Sequence, residues 1–329
     1  MWIGYFCLLF CHRSGGQDFE NREQAKKVLA KAAKLVESNY FDKKVAARVA
    51  KVLSAKETQD RYAGVKQKPE LARLLSKQLL ELTSDKHLTV QWAGEKQRTE
   101  SDAEAKARRE RDRRMANSGI RKIEILKGNV AYLEITSFFR RNEVKEKYKH
   151  AAGMVADADA IIIDLRNNGG GSPEGVVELA GYFFQKSGVK LFDIVARDGE
   201  RTTYKTNTPM NRPWLNQPLV LITGPNTFSA GEGFAFIMQD QKRGKVIGTG
   251  TAGAANPGRS HGIDDSFSIV IPNGKVVAAV NGGNWEGKGV LPDMPFDKAN
   301  VVETARVAAK VYASRKSNGN IKRSRRDDN

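Results

Sequence analysis

Apolar side chains recur at three- and four-residue steps between Asn21 and about Leu88. Val28, Leu29, Ala32, Leu35 and Val36 form one stripe, and Ala47, Val49, Val52 and Leu53 a second. Leu71, Leu74, Leu75, Leu79, Leu80 and Leu82 form a third, with Gly64 and Pro69 as punctuation before it. That spacing keeps side chains on one face of an α-helix, so a small three-helix layer is predicted over residues 21–92. From Ala93 to Ser118 large apolar side chains nearly vanish. A stretch this polar cannot bury a core and reads as a charged linker or an exposed helix. The domain boundary is placed there, at 93–118.

Beyond Ile120 the period changes. Val130–Ile135 reads as a strand, while Ala160-Ile-Ile-Ile-Asp164 and Leu219-Val-Leu-Ile-Thr223 are continuous apolar runs of the kind buried on both faces of a sheet. Amphipathic helices follow them at Gly175–Phe184 and Gly231–Asp240, and Val246-Ile247 continues the alternation. Alternating elements of this sort predict an α/β core at 119–312, with helices on a mostly parallel sheet. Phe267–Ile271 and Lys275–Ala279, joined by Pro272-Asn273-Gly274, read as a hairpin. Residues 313–329 read as a basic disordered tail.

Composition narrows the chemistry. The 329 residues, 40% apolar and 28% charged, suit a globular protein of about two domains. Both cysteines, Cys7 and Cys11, lie at the very start, so the body has no disulfide framework, thiol nucleophile or cysteine metal site. The opening MWIGYFCLLFCHRSGG is shorter than the roughly 18 apolar residues a membrane span needs. It lacks a basic leader, and residues 1–20 read either as a degenerate export signal or as a loosely ordered start. An extracytoplasmic location is favoured over a cytoplasmic one, and no stable membrane span is expected. The net charge of +17 falls in mixed-charge stretches such as Glu95 to Arg114 and in the tail. There is no zinc-finger spacing, RNA-recognition aromatic motif or basic zipper, so nucleic acid is not an expected partner.

Four segments carry candidate chemistry. Thr223-Gly-Pro-Asn-Thr-Phe-Ser-Ala-Gly-Glu232 joins a buried strand to a helix, where Ser229 has free N–H groups beside it. A serine there serves equally as a helix N-cap. Asp164-Leu-Arg-Asn-Asn-Gly-Gly-Gly171 occupies the same kind of junction, and its three glycines suit either an anion-binding nest or a plain tight turn. It has neither the Walker nor the dinucleotide spacing. Thr83-Ser-Asp-Lys-His-Leu88 places His87 at the end of a leucine-rich helix, either as a base or as a polar surface residue. Asn284-Trp-Glu-Gly-Lys-Gly-Val-Leu-Pro-Asp293 offers Glu286 in a glycine-rich loop, which is also what a solvated surface loop looks like.

In order, SDKHL, DLRNNGGG, TFSAGE, GTGTAGAANPG and NWEGKGVLPD resemble the tail-specific-protease superfamily. The resemblance is closest to the branch of the tricorn core protease and interphotoreceptor retinoid-binding-protein-like serine peptidases. It implies a crotonase-like ββα-superhelix core with a small N-terminal helical domain, and peptide or protein substrates. By motif, Ser229 is implied as nucleophile, His87 as general base and Glu286 as the acid that orients the imidazole. Ala230 and a glycine among Gly169, Gly170 and Gly171 are implied as oxyanion donors, with Ser84 or Asp85 supporting the histidine. No cofactor and no metal is expected.

Two departures bear on mechanism. C-terminal processing peptidases of the serine–lysine type carry their lysine in a Gly-Lys-Gly turn, and here that turn reads Thr251-Ala-Gly-Ala-Ala255, with Ala254 near the lysine position. The base role therefore passes to His87. No PDZ-like segment separates the helices from the core, because Ala93–Ser118 is too short and too polar. The competing reading is an inactive carrier of apolar, retinoid- or lipid-like ligands on the same scaffold, since a scaffold alone does not determine activity.

Overall fold

A computed structural model describes residues 22–93, 101–207 and 215–327. The opening segment read as an export signal lies outside the described residues, and among those described no helix is long and apolar enough to cross a membrane.

The chain begins with α1 (Arg22–Asn39), α2 (Lys43–Ser54), α3 (Lys56–Tyr62) and α4 (Lys68–Thr83). Four helices stand where three stripes predicted three. The extra one, α3, spans seven mostly polar residues and buries only Thr58 and Tyr62, so it leaves no apolar stripe to read. Asp42 caps α2 by accepting from the Lys44 and Val45 N–H groups, and Pro69 sits in the first turn of α4, where its missing N–H costs nothing. The buried face of α2 is Ala46, Val49, Ala50 and Leu53, with Ala47 turned outward.

β1 (Thr89–Trp92) follows, and then α5 (Asp102–Met115) with a Ser101–Glu104 capping box. This exposed, highly charged helix is what the linker segment becomes.

The core runs β2 (Ile120–Leu126), β3 (Val130–Ile135), α6 (Arg141–Met154), β4 (Ala160–Asp164), α7 (Pro173–Ala180), β5 (Lys190–Ala196), β6 (Arg201–Lys205), β7 (Leu219–Thr223), α8 (Ala230–Asp240) and β8 (Gly244–Gly248). It closes with β9 (Gly258–Gly262), β10 (Phe267–Pro272), β11 (Gly274–Ala278), β12 (Met294–Pro295) and α9 (Val301–Asp327). Six strands form the central sheet in the order β12-β8-β7-β4-β3-β2, all parallel except the β2–β3 pair.

Alternation along each strand sorts the side chains between two layers. Ile161, Ile163, Leu219 and Leu221 pack under α6, α7 and α8, whereas Ile162, Val220 and Ile222 pack under Val301, Ala305 and Ala309 of α9. Both faces of β4 and β7 are therefore covered, which is why those segments read as unbroken apolar runs. α9 continues to Asp327 without a break at residue 313, so the tail assigned to disorder on composition is helical through that point.

The hairpin expected around Pro272-Asn273-Gly274 does not form. β10 pairs with β1 and β9, while β11 leaves for a different sheet and pairs with β5. Gly274 is not among the glycines at positive φ, which a tight two-residue hairpin turn would require, and the Asn273 N–H donates to the Pro257 carbonyl instead. Burial explains the split. Phe267, Ile269 and Ile271 join the core of the N-terminal helices, whereas Val276 joins the core of the main domain. Residues 258–272 thus belong with the helical layer, although they are distant from it in sequence. Through the pairs Thr89↔Val270 to Trp92↔Phe267 they fix the chain immediately after His87.

Candidate active site

β7 ends at Thr223, and a short loop delivers Ser229 to the start of α8. An N-cap serine has extended backbone, as Ser172 does here, with φ −81°, ψ 131° and its hydroxyl accepting from the Glu174 N–H. Ser229 instead has φ 51° and ψ −116°, a conformation costly for a residue with a Cβ. Such strain at a strand-to-helix turn lifts the side chain off the surface, as a nucleophile elbow requires.

Glu232 holds the turn. It is fully buried, and its carboxylate accepts from the Ser229 N–H at 2.8 Å, Thr251 Oγ1 at 2.6 Å, the Ala254 N–H at 3.0 Å and the Gly253 N–H. Burial raises its pKa, and these hydrogen bonds oppose the rise.

His87 arrives from the helical layer. α4 stops because Ser84 adopts left-handed backbone, φ 57°. Ser84 itself is exposed; the supporting carboxylate is that of Asp85, which is almost wholly buried. Asp85 Oδ1 accepts the His87 N–H at 3.0 Å, and Oδ2 accepts Tyr40 Oη–H at 3.0 Å and Asn256 Nδ2 at 3.2 Å. The next residue, Lys86, reaches the Ala252 carbonyl. These contacts tie the turn to α1's end on one side and to the 251–256 loop on the other. His87 Nε2 lies 3.0 Å from Ser229 Oγ, with the Phe228 ring packed at 5.0 Å from the imidazole. Burial lowers the His87 pKa against the opposing charge of Asp85, which favours the neutral ring that a proton acceptor needs.

Glu286 approaches from the 284–289 loop, anchored by buried Trp285, whose indole N–H donates to the Ala254 carbonyl at 2.9 Å. Glu286 Oε2 accepts from the Ala255 and Asn256 N–H groups at 2.6 and 3.0 Å. Its Oε1 and His87 Nδ1 are both buried without a hydrogen-bond partner. A ring nitrogen of His87, a carboxylate oxygen of Asp85 and one of Glu286 lie within 4.8 Å of one another. Glu286 is therefore brought to the imidazole but not into hydrogen bonding with it. Ala254, which the resemblance sets near the lysine position of the dyad enzymes, is fully buried.

Burial, followed by the nearby charge of Asp85, pushes the Glu286 carboxyl up to about 7. A carboxyl raised in the folded state keeps its proton longer there than in the unfolded chain. The wild type therefore loses stability as pH rises from the ordinary carboxylate range to about 7, and the loss is complete above that. Glutamine does not titrate. The melting temperature of Glu286→Gln relative to wild type is expected to climb between about pH 4 and pH 8. A flat or falling difference in a thermal-melt series would contradict the burial argument.

The three-glycine loop meets the same space. Its Gly169 N–H donates to the Thr136 carbonyl and its Gly170 N–H to Asn168 Oδ1. Among the described residues, the Gly171 and Ala230 N–H groups have no acceptor. Asn168 is fully buried, with Nδ2 donating to the Ile135 carbonyl and its own carbonyl accepting the Phe228 N–H, so it locks this loop to the serine turn. Glu232, Asn168, Tyr40 and Asn256 were not singled out from sequence. The only signal for Glu232, Asn168 and Asn256 is their place inside TFSAGE, DLRNNGGG and GTGTAGAANPG.

Residues 129–296 match the family model for peptidase family S41, and residues 19–131 match that for the N-terminal domain of Peptidase_S41 in eukaryotic IRBP. Carboxyl-terminal-processing peptidase 2, chloroplastic, of Arabidopsis thaliana is 28% identical over 173 residues, 52% of this chain and 32% of that protein. The tail-specific protease of Haemophilus influenzae is 30% identical over 178 residues, 51% of this chain and 25% of that protein. The chain thus spans a quarter to a third of these curated relatives. The crystal structure of the tricorn protease superposes with a TM-score of 0.58 at 14% identity, over 89% of this chain and 37% of that one, a likeness of fold.

Proposed function

This chain belongs to peptidase family S41, and from that premise we propose that it is a serine peptidase that cleaves peptide or protein substrates through an acyl-enzyme. Ser229 Oγ attacks the scissile carbonyl while His87 Nε2 takes its proton, then returns it to the leaving amine. The developing oxyanion is met by the N–H groups of Ala230 and Gly171, the two donors near the elbow not already committed elsewhere. Glu286, with Asp85 beside it, stabilises the imidazolium through charge, a hydrogen bond to Nδ1 being absent.

The observation that carries this reading is the 3.0 Å contact between Ser229 and a histidine 142 residues away. A carrier of apolar ligands has no use for such a pair on a strained backbone, so the contact supports the enzyme. The test is labelling of the purified chain with a fluorophosphonate probe and mapping the adduct by peptide mass. An adduct on Ser229 is expected. An adduct confined to another serine, or none at all, would sink the reading.

Gly170 gives a finer check. It has φ +100°, and a Cβ built on it would sit 2.8 Å from Ser229 Cβ. Gly170→Ala is expected to cost ~1–3 kcal/mol in backbone strain. By displacing the elbow it should also slow probe labelling roughly 10²-fold. Labelling at the wild-type rate would show that Gly170 does not control the nucleophile's position.

A further inference from the structure

Two polar atoms in this site are buried and unused, His87 Nδ1 and Glu286 Oε1. With Asp85, these two residues form a set of one imidazole and two carboxylates, in which one donor atom from each residue lies within 4.8 Å of the others. We infer that Asp85, His87 and Glu286 form an inhibitory binding site for a zinc-class divalent cation, which switches the peptidase off by seizing the imidazole from behind. The inference rests on the reading of Ser229 and His87 as nucleophile and base.

The donor chemistry selects the ion. One nitrogen and two carboxylates suit Zn²⁺ and its transition-metal neighbours, whereas Mg²⁺ and Ca²⁺ favour shells made of oxygen. Three protein ligands leave a fourth position for water, as in open zinc sites. Tetrahedral ligands at ~2.0–2.2 Å from the ion stand ~3.3–3.6 Å apart, so the set must draw together by about 1 Å.

The surroundings favour such a closure. Glu286 Oε2 is pinned by two backbone N–H groups, which leaves Oε1 as the free arm. Asp85 is steadied by Tyr40 and Asn256, outer partners of the kind that orient metal-binding carboxylates.

Inhibition follows from the tautomer. To accept the Ser229 proton, Nε2 must carry a lone pair, which requires the ring proton on Nδ1. A cation bound through the Nδ1 lone pair leaves that proton on Nε2, facing Ser229 Oγ. The ring proton has moved from one nitrogen to the other, no bond to the serine has formed, and the base is gone. Any proton on the Glu286 carboxyl passes to water as the metal binds.

The test has a binding arm and an activity arm. Zn²⁺ is measured by equilibrium dialysis against the EDTA-stripped full chain, using Ser229→Ala so that turnover plays no part. One Zn²⁺ site is expected to disappear when His87→Gln or Glu286→Gln is added, and none when His261→Gln is added; circular-dichroism melts establish that each variant is folded. Unchanged stoichiometry and affinity in both folded site variants would overturn the inference, and so would loss of the site in the His261 control. In the activity arm, fluorophosphonate labelling of the wild type is expected to fall at least tenfold at the Zn²⁺ concentration that fills this site. It should recover with EDTA and be unaffected by equal Mg²⁺ or Ca²⁺. Equal inhibition by Ca²⁺, or full labelling with the site filled, would also overturn it. A chain that never labels but loses one Zn²⁺ in the site variants would refute the peptidase reading and leave the metal site standing, so the two failures are distinguishable.

Discussion

Ser229→Ala is expected to abolish fluorophosphonate labelling and to lower peptide turnover by on the order of 10⁴- to 10⁶-fold, the scale on which loss of a nucleophile in a serine triad is felt. The fold should survive. Only an oxygen is removed, and the backbone anchors of the elbow, the Ser229 N–H to Glu232 and the Phe228 N–H to the Asn168 carbonyl, involve no serine hydroxyl. The φ of 51° suits alanine no worse than serine, so the strain is unchanged. The check is paired: melting temperature within a few degrees of wild type, and labelling absent. Turnover that persists at more than a few per cent in a folded variant would mean that another residue is the nucleophile.

His87→Ala is expected to lower turnover by ~10³- to 10⁴-fold, since the serine hydroxyl then lacks a proton acceptor. The pH profile separates this role from a packing role. Burial lowers the His87 pKa, so the neutral base persists to more acid solution than an ordinary histidine allows. Wild-type activity should therefore fall on the acid side first as Glu286 gains its proton near 7, and then, in a second limb below the usual histidine midpoint of ~6.5, as His87 gains its own. The residual activity of His87→Ala should lack that second limb. A variant with reduced activity but both limbs intact would make His87 a structural neighbour. Near-normal turnover would redirect attention to a lysine base.

Local pattern carried much of this. The stripes of α1, α2 and α4 were legible because a helix packed on one side must repeat its apolar residues every three to four positions. β4 and β7 were legible because strands covered on both faces leave no polar alternation. α3 was not, because seven polar residues that bury only Thr58 and Tyr62 leave no periodic signal. The two strands flanking Pro272-Asn273-Gly274 were identified, but their pairing was not. Proximity in sequence suggested a hairpin, whereas each strand's apolar face had a different core to fill.

Of the site, the sequence by itself determined the menu: a serine at a strand-to-helix turn, a histidine after a leucine helix, a glycine loop and a glutamate in another. Their resemblance in order to a peptidase family suggested roles. The tertiary structure alone decided that Ser229 and His87 meet, that Ser229 takes the N-cap position in strained rather than extended backbone, and that Glu286 lies near the imidazole without bonding it. It also decided that Asp85 is held by Tyr40 and Asn256, 45 residues before it and 171 after. The physical reason is range. Periodicity reports which face of an element is buried, and that is set by neighbours a few residues away. A hydrogen bond across 142 residues depends instead on β10 pairing with β1, and on the shared core that makes that pairing favourable.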